Sequence, residues 1–231
     1  MSGKIQRDLA EMKIKLGEYI DKGRAVGYPE VRKEPVITVK PQKSKIKPLI
    51  KMSSYKGNFT AVDCSTRTLK RANNWGIYLL RAAYAVVKGR DVDWGYGEKM
   101  CTVVADAYRR RWFLRNARLE LESETALSLL HGAHEEDYLL LDGASYFGGP
   151  RRFQVSLYEA CRKKRIKLLA ISKQSPMLHD EKGRDFIAAA CMLSSYGLWV
   201  YHPVVKANTD KHLYGDISLM KLCQSSPRVF R

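Results

Sequence analysis

After residue 58 the chain alternates short apolar runs with segments of helical spacing, and this order allows few folds. The clearest run is Tyr-Leu-Leu-Leu at 138–141, which is followed by Asp142 and Gly143. Short apolar runs bounded by turn residues predict buried strands, whereas apolar residues spaced three or four apart predict helices. Strands that alternate with helices in this way predict a mixed α/β sheet within one domain.

The same patterns predict the individual elements. Strands are predicted at 59–63, 77–87, 102–104, 138–142, 166–171, 198–201 and 219–222. Helices are predicted at 1–25, 106–130, 153–164 and 184–196. Prolines and lysines dominate 28–57, a composition that is typical of an extended linker or of an arm lying along phosphates. We therefore expect an N-terminal helix and basic proline-containing arm at 1–57 and a folded domain at 58–231.

The charge of the chain indicates a polyanionic partner. Lys and Arg number 41 against 24 Asp and Glu, and the formal net charge is +17 at pH 7. Such an excess on a chain of 231 residues is typical of proteins that bind nucleic acid or an anionic surface. Basic clusters at 109–111, 151–152 and 162–165 have aromatic residues near the latter two, which suits single-stranded nucleic acid.

Several other classes of protein are excluded by the sequence. It contains no run of 18 apolar residues and begins with a polar segment, so a membrane-spanning or secreted protein is not expected. The five cysteines are scattered without a CxxC pair, which argues against a zinc ribbon and fits a reducing cytoplasm. The motifs of zincins, serine hydrolases, P-loop proteins and Rossmann folds are absent.

Two aspartates carry the chemistry that the sequence predicts. Asp63 in AVDCS and Asp142 in LLLDGAS each directly follow an apolar run. A side chain at the end of a buried strand leaves the core while its backbone stays rigid. If the two strands are adjacent and parallel, these carboxylates share divalent cations, which prefer oxygen ligands. The alternative is that each aspartate caps a strand or a turn.

A third carboxylate is predicted on the helix at 106–130. The helical wheel places Glu124 on one stripe with Leu121, which faces the sheet, so that Glu124 emerges near the strand ends. Glu120 lies beside this stripe and stays open, whereas Glu122 is expected to point into solvent. For each of the three, an ordinary exposed helix charge is the alternative.

Three further residues are candidates for the same site. Lys173 follows the strand at 166–171, where it is predicted to contact a phosphate or to orient an attacking water. A solvated lysine at a strand exit is the alternative. His202 and Asp216 are weaker candidates for a fourth metal ligand.

The ordered set of segments resembles the NurA nuclease domain. The segments are FTAVDCS, IYLLRAAYAVVKG, LELESETALSLL, YLLLDGASY, a basic helix, LLAISK and LMKLCQSSPRVFR. The resemblance implies an RNase H-like mixed central sheet flanked by helices. It also implies Mn²⁺-dependent cleavage of DNA, with Mg²⁺ as the alternative metal, by 5′–3′ exonuclease and single-strand endonuclease activities. A homodimer that works with a HerA-type hexameric translocase in DNA-end resection and recombinational repair is implied as well.

The resemblance also assigns roles to residues. Asp63 and Asp142 match the metal-binding aspartates of the family, Glu124 matches its helix glutamate, and Lys173 matches the lysine after the next strand. Cys64 departs from the pattern, because the family usually has glycine there. The family domain continues past the position of the last residue with a further catalytic residue, so we expect its C-terminal part to be missing.

Together these observations predict a metal-dependent deoxyribonuclease in which Asp63, Glu124 and Asp142 hold one or two Mn²⁺ ions. The rival hypothesis is a DNA-binding or adaptor module that docks on a translocase without cutting. A phosphoesterase for small molecules ranks last, because it would make no use of the charge of +17. Strand polarity and the choice between DNA and RNA stay open.

Overall fold

The computed structural model describes residues 2–22, 36–50, 56–142, 152–172, 178–208 and 214–222. The helices are α1 (Ser2–Lys22), α2 (Ala107–Leu129), α3 (Arg152–Lys164) and α4 (Phe186–Leu193). The strands are β1 (Ile37–Thr38), β2 (Ile46–Pro48), β3 (Phe59–Arg71), β4 (Trp75–Lys88), β5 (Asp91–Val104), β6 (Tyr138–Asp142), β7 (Lys167–Ile171), β8 (Leu178–His179), β9 (Trp199–Val205) and β10 (Ile217–Lys221). No helix in these parts of the chain combines the length and apolar character needed to span a membrane.

The central sheet has five strands in the order β5-β4-β3-β6-β7. Strands β3, β4 and β5 form an antiparallel meander, and β6 and β7 run parallel to β3 on its other side. This is the RNase H-like arrangement, so the predicted fold class is confirmed. Two smaller sheets, β10-β9-β2 and β1-β8, accompany it.

Helices α2 and α3 cover one face of the central sheet. Because strand residues alternate between faces, Val62, Leu139 and Leu141 point together towards these helices, and each is at most 2% exposed. Helix α1 packs against β5 near Cys101, which belongs to the same covered face. We call the opposite side the open face, because among the described residues it carries side chains such as Leu169 that are about half exposed.

Strand β3 is longer than predicted. The apolar pattern predicted a strand at 59–63, but β3 continues to Arg71 because its later residues keep pairing with β4. These residues include Ser65 and two threonines, which are polar but suit an exposed pleated strand. Its pairing with β6 stops at Val62, so Asp63 lies within β3 at the point where the two strands part.

Part of the segment predicted as a linker belongs to the small sheets. Strand β1 pairs in parallel with β8, and β2 pairs antiparallel with β9. Ile46 is 5% exposed and packs with Trp199 and Tyr201 of β9. Pro48 occupies the last position of an edge strand, where its missing N–H is tolerated. Residues 36–50 are therefore not a linker, while 23–35 and 51–55 lie outside the described residues.

Helix α4 is shorter than the predicted helix at 184–196. It begins after Asp185, whose carboxylate accepts hydrogen bonds from the N–H groups of Ile187 and Ala188. Such an N-cap satisfies N–H groups of the first turn that have no partner within the helix, and it therefore fixes where α4 begins. Phe186, the first helical residue, is fully buried with β9 and β10.

Candidate active site

Asp63 and Asp142 lie side by side on the open face. In the parallel ladder between β3 and β6, Ala61 pairs with Leu140 and Val62 with Leu141. Asp63 and Asp142 are the next residues of the two strands, and neighbouring strands lie about 4.8 Å apart. Since Val62 and Leu141 point to the covered face, both carboxylates point away from it, and both are exposed. The structure therefore brings together the two aspartates that the sequence singled out.

A shallow cavity of about 400 Å³ adjoins the two carboxylates. Its floor includes three alanines, Ala61, Ala83 and Ala85, whose small side chains leave room above β3 and β4. Apart from Tyr84, whose side chain points to the covered face, the other lining side chains are apolar, so the aspartates are the cavity's only charged groups within the described residues. A cavity of this size with few polar groups fits a small ligand or one unit of a polymer.

The register that aligns the aspartates is held by Asp137, immediately before β6. Its carboxylate accepts hydrogen bonds from the backbone N–H groups of Asn58 at 2.7 Å and His134 at 2.9 Å. Asn58 directly precedes β3, and its carbonyl accepts the N–H of Tyr138 at 2.8 Å. A slip of one residue would turn an aspartate to the covered face. Asp137, which sequence reasoning missed, therefore holds the starts of β3 and β6 together.

The Asp137→Asn variant is expected to lose about 1–3 kcal/mol of unfolding free energy at pH 7. Burial acts to raise the pKa of the Asp137 carboxyl, but the hydrogen bonds from Asn58 and His134 lower it below its ordinary 3.8. The carboxylate therefore contributes stability above that value, which is lost as the pH falls through the folded pKa. In urea unfolding between pH 7 and pH 3, the difference between wild type and variant should shrink towards the acid end. A constant difference would contradict this role.

Arg118 of α2 binds β3 just beyond Asp63. Its Nε donates to the Cys64 carbonyl at 2.8 Å, and a terminal N–H donates to the same oxygen. The guanidinium thus satisfies a backbone carbonyl where β6 has ended. The Cys64 side chain is fully buried under α2, and burial raises its pKa to about 11, although Arg118 acts to lower it. The thiol is therefore neutral at pH 7 and fills the core beneath α2.

Comparison with known proteins supports this fold. No family model matches the chain, and no curated protein matches its sequence. Among solved structures, the NurA nuclease from Sulfolobus solfataricus aligns with the whole chain at 12% identity and a TM-score of 0.53. The alignment covers 76% of that structure. The chain has a NurA-like fold.

Two other solved structures align with parts of the chain. A NurA structure with manganese aligns with 43% of it at 21% identity and a TM-score of 0.36, and the chain covers 22% of that structure. RNase H1 from Halobacterium salinarum NRC-1 aligns with 50% of the chain at 10% identity and a TM-score of 0.29, with 85% of the enzyme covered.

The burial of the glutamates on α2 differs from what the helical wheel predicted. Glu124 is exposed, and Glu122, which was expected in solvent, is 2% exposed. Leu119, Glu122 and Ala126 share a buried stripe of α2, because the helix packs against α3 as well as the sheet. The charge of Glu122 acts on Cys64, so it lies near β3 on the covered face. A third ligand role for Glu124 stays a prediction.

His202 and Asp216, the candidates for a fourth ligand, are not among the residues that line the cavity. Lys173 lies outside the described residues. His202 is on β9, where its Nδ1 lies 2.7 Å from Ser218 Oγ and its Nε2 lies 3.8 Å from Asp216 Oδ2. The structure thus pairs His202 with Asp216 in the three-stranded sheet of the NurA-like fold. Their role as a fourth ligand has no support in the described residues.

The two aspartates of the NurA-like sheet fit a hard divalent cation. Mg²⁺ and Mn²⁺ prefer carboxylate oxygens, and Mg²⁺ keeps several waters, so two protein carboxylates are an adequate anchor. Across the described ranges, no group of three or more His, Cys, Asp or Glu side chains comes together to hold a metal. Asp63 and Asp142 are therefore the protein ligands that this part of the chain offers.

Proposed function

We propose that this protein is a metal-dependent DNA nuclease whose metal is held by Asp63 and Asp142. The observation that carries the proposal is the pair of exposed carboxylates at matching positions of β3 and β6, one residue past the pair Val62 and Leu141. The NurA-like fold supports it, as does the net charge of +17, which favours a polyanionic substrate. Mn²⁺ is the proposed metal, with Mg²⁺ as the alternative.

The described residues would position both metal and substrate. A divalent cation held by the aspartates supplies positive charge for the oxygens of a phosphodiester undergoing cleavage. Two rigid strands fix the carboxylates, Asp137 fixes the strand register, and Arg118 holds β3 where it parts from β6. Lys173 is proposed as the group that contacts a phosphate or orients the attacking water. Glu124 is proposed as a third ligand, which requires its carboxylate to move to the aspartates when the metal binds, because in this structure it does not cluster with them.

The finer features of the proposal follow from the resemblance to NurA nucleases. They are 5′–3′ exonuclease and single-strand endonuclease activity, a homodimer, and work with a HerA-type hexameric translocase in DNA-end resection. The chain covers about three quarters of the NurA nuclease with which it aligns throughout. These activities and partners are proposals for this chain, and so is a cytoplasmic location.

The proposal predicts metal-dependent cleavage of DNA. Labelled single-stranded and linear double-stranded DNA should be cut in Mn²⁺ or Mg²⁺ and left intact in chelator. The cation is expected to contribute several kcal/mol to the transition state, so the loss in chelator should exceed about 100-fold.

The second candidate, a DNA-binding module without nuclease activity, is favoured by the finding that the described residues provide only two clustered carboxylates. Such a module should bind DNA equally well in chelator and lose affinity steeply with salt. Salt-sensitive binding without cutting in either metal would contradict the nuclease proposal and support this alternative.

A further inference from the structure

The open face carries two exposed aromatic side chains on β5, beside the proposed catalytic pair. Trp94 is 71% exposed and Tyr96 is 56% exposed. Tyr96 pairs with Ala83, which pairs in turn with Asp63, so Tyr96 and Asp63 share one row across the sheet. Two strand spacings separate their backbones by about 10 Å. Trp94 occupies the neighbouring row, with Ala85 and Ala61.

The sequence around these aromatics directs both rings to the same face. Glycines alternate with them in Trp94-Gly95-Tyr96-Gly97, and the alternation of a strand sends the two glycines to the covered face. Gly95 makes room there for Tyr84, since a Cβ at Gly95 would lie 2.6 Å from the Tyr84 hydroxyl. The strand thus packs through glycines on one face and presents aromatic rings on the other.

The alanine floor makes a trough between the aromatics and the aspartates. Ala61, Ala83 and Ala85 carry only a methyl group each, and the cavity of about 400 Å³ lies above them. Trp94 and Tyr96 stand on the β5 side of this floor, and Leu140 and Ile171 line the other side. The trough is therefore apolar, except at the edge where the carboxylates of Asp63 and Asp142 lie.

Basic side chains lie on the same face, next to the trough. The Arg81 guanidinium lies 4.8 Å from the centre of the Tyr96 ring and also forms an ion pair with Glu98 at 2.6 Å. Along β3 beyond Asp63, the exposed Arg67 and Lys70 pair with β4 residues of the open face. Aromatic rings stack on unpaired bases, and neighbouring guanidinium and ammonium groups bind the phosphates that link those bases.

We infer that the trough is a seat for an unpaired nucleobase, stacked on Trp94 and Tyr96, whose strand continues past Asp63 and Asp142. This inference rests on the proposed function and names the feature of the substrate that the site reads. An alanine floor leaves room for a flat ring, and apart from the proposed metal ligands Asp63 and Asp142, no described lining residue on the open face has a hydrogen-bonding side chain that could read the edge of a base. The seat is therefore tolerant of base identity but requires bases that are not paired.

Binding in chelator tests the seat independently of cleavage. Fluorescence anisotropy would compare a labelled short oligodeoxythymidylate with an abasic oligomer of equal length, using the full chain. Wild type should bind the base-containing oligomer about tenfold more tightly. Trp94→Ala and Tyr96→Ala should each reduce that ratio several-fold and leave the affinity for the abasic oligomer unchanged. Ala85→Leu, which fills the trough, should have the same effect.

The matched control is Tyr108→Ala, because Tyr108 is an aromatic residue of α2 that is 68% exposed and lies outside the open face. This variant should keep the wild-type ratio, and circular dichroism should show the same helix content in all four variants. Equal affinity of wild type for the two oligomers would overturn the inference, as would a ratio that survives Trp94→Ala and Tyr96→Ala.

Failure of the seat and failure of the proposed function give different results. Base-dependent binding without cleavage in any metal would support the seat and contradict the nuclease. Aspartate-dependent cleavage without base discrimination in binding would contradict the seat alone.

Discussion

Asp63→Asn and Asp142→Asn should each reduce cleavage of single-stranded DNA in Mn²⁺ by about 100-fold or more. Each substitution replaces one of the proposed negatively charged ligands by a neutral amide, which binds a hard divalent cation poorly. A loss of that size corresponds to about 2.7 kcal/mol of transition-state stabilisation. Because both side chains are exposed, neither substitution should change the free energy of unfolding by more than about 0.5 kcal/mol. The measurement is the initial rate of cleavage together with urea unfolding of each variant.

The matched control is Asp91→Asn, at the exposed start of β5, which should cleave DNA at the wild-type rate. Glu124→Gln in the same assay tests the predicted third ligand, since Glu124 is exposed and its substitution should leave the fold intact. Cleavage that persists at the wild-type rate in both aspartate variants would rule out their metal-binding role.

Leu139→Ala should lower the free energy of unfolding by about 2–5 kcal/mol. Leu139 is fully buried between β6 and the helices, with Val62 and Leu157 among the neighbours in its core cluster. Truncation to alanine removes buried methyl groups and leaves a cavity in the core between the central sheet and the helices. Urea unfolding at pH 7 would give the difference in free energy between wild type and variant.

Leu140→Ala is the control for this prediction, because Leu140 is the next residue of the same strand and points to the open face. It is partly exposed there, so its truncation should cost about 1 kcal/mol or less. An equal loss from Leu139→Ala and Leu140→Ala would mean that both faces of the sheet are buried. Such a result would contradict the open face, and with it the accessibility of Asp63, Asp142 and the trough.

The strongest elements of the fold were readable from the sequence. The strand predicted at 138–142 agrees with β6 at both ends, and the helices predicted at 106–130 and 153–164 agree with α2 and α3 within one residue at each end. These segments have local signals, namely an apolar run bounded by turn residues or a sustained helical period. The two aspartates were also readable, because a carboxylate directly after an apolar run is a local feature.

Longer-range pairing decided what those signals did not specify. Strand β3 extends past Asp63 only because β4 accompanies it, and β2 is a strand only because β9 offers an edge. Glu122 is buried because α2 packs against both the sheet and α3. The helical wheel assumed that α2 packs through one face only, so it placed Glu122 in solvent. The role of Asp137 likewise depends on Asn58, 79 residues earlier in the chain.

The sequence by itself determined the type of sheet, the two carboxylates and the positive charge, because each depends on residue identity or on short-range periodicity. The tertiary structure decided that the carboxylates occupy adjacent strands and the same face, and that Trp94 and Tyr96 stand near them across an alanine floor. Register and face arise from hydrogen bonds and packing between distant segments, and a change of one residue in register would reverse them.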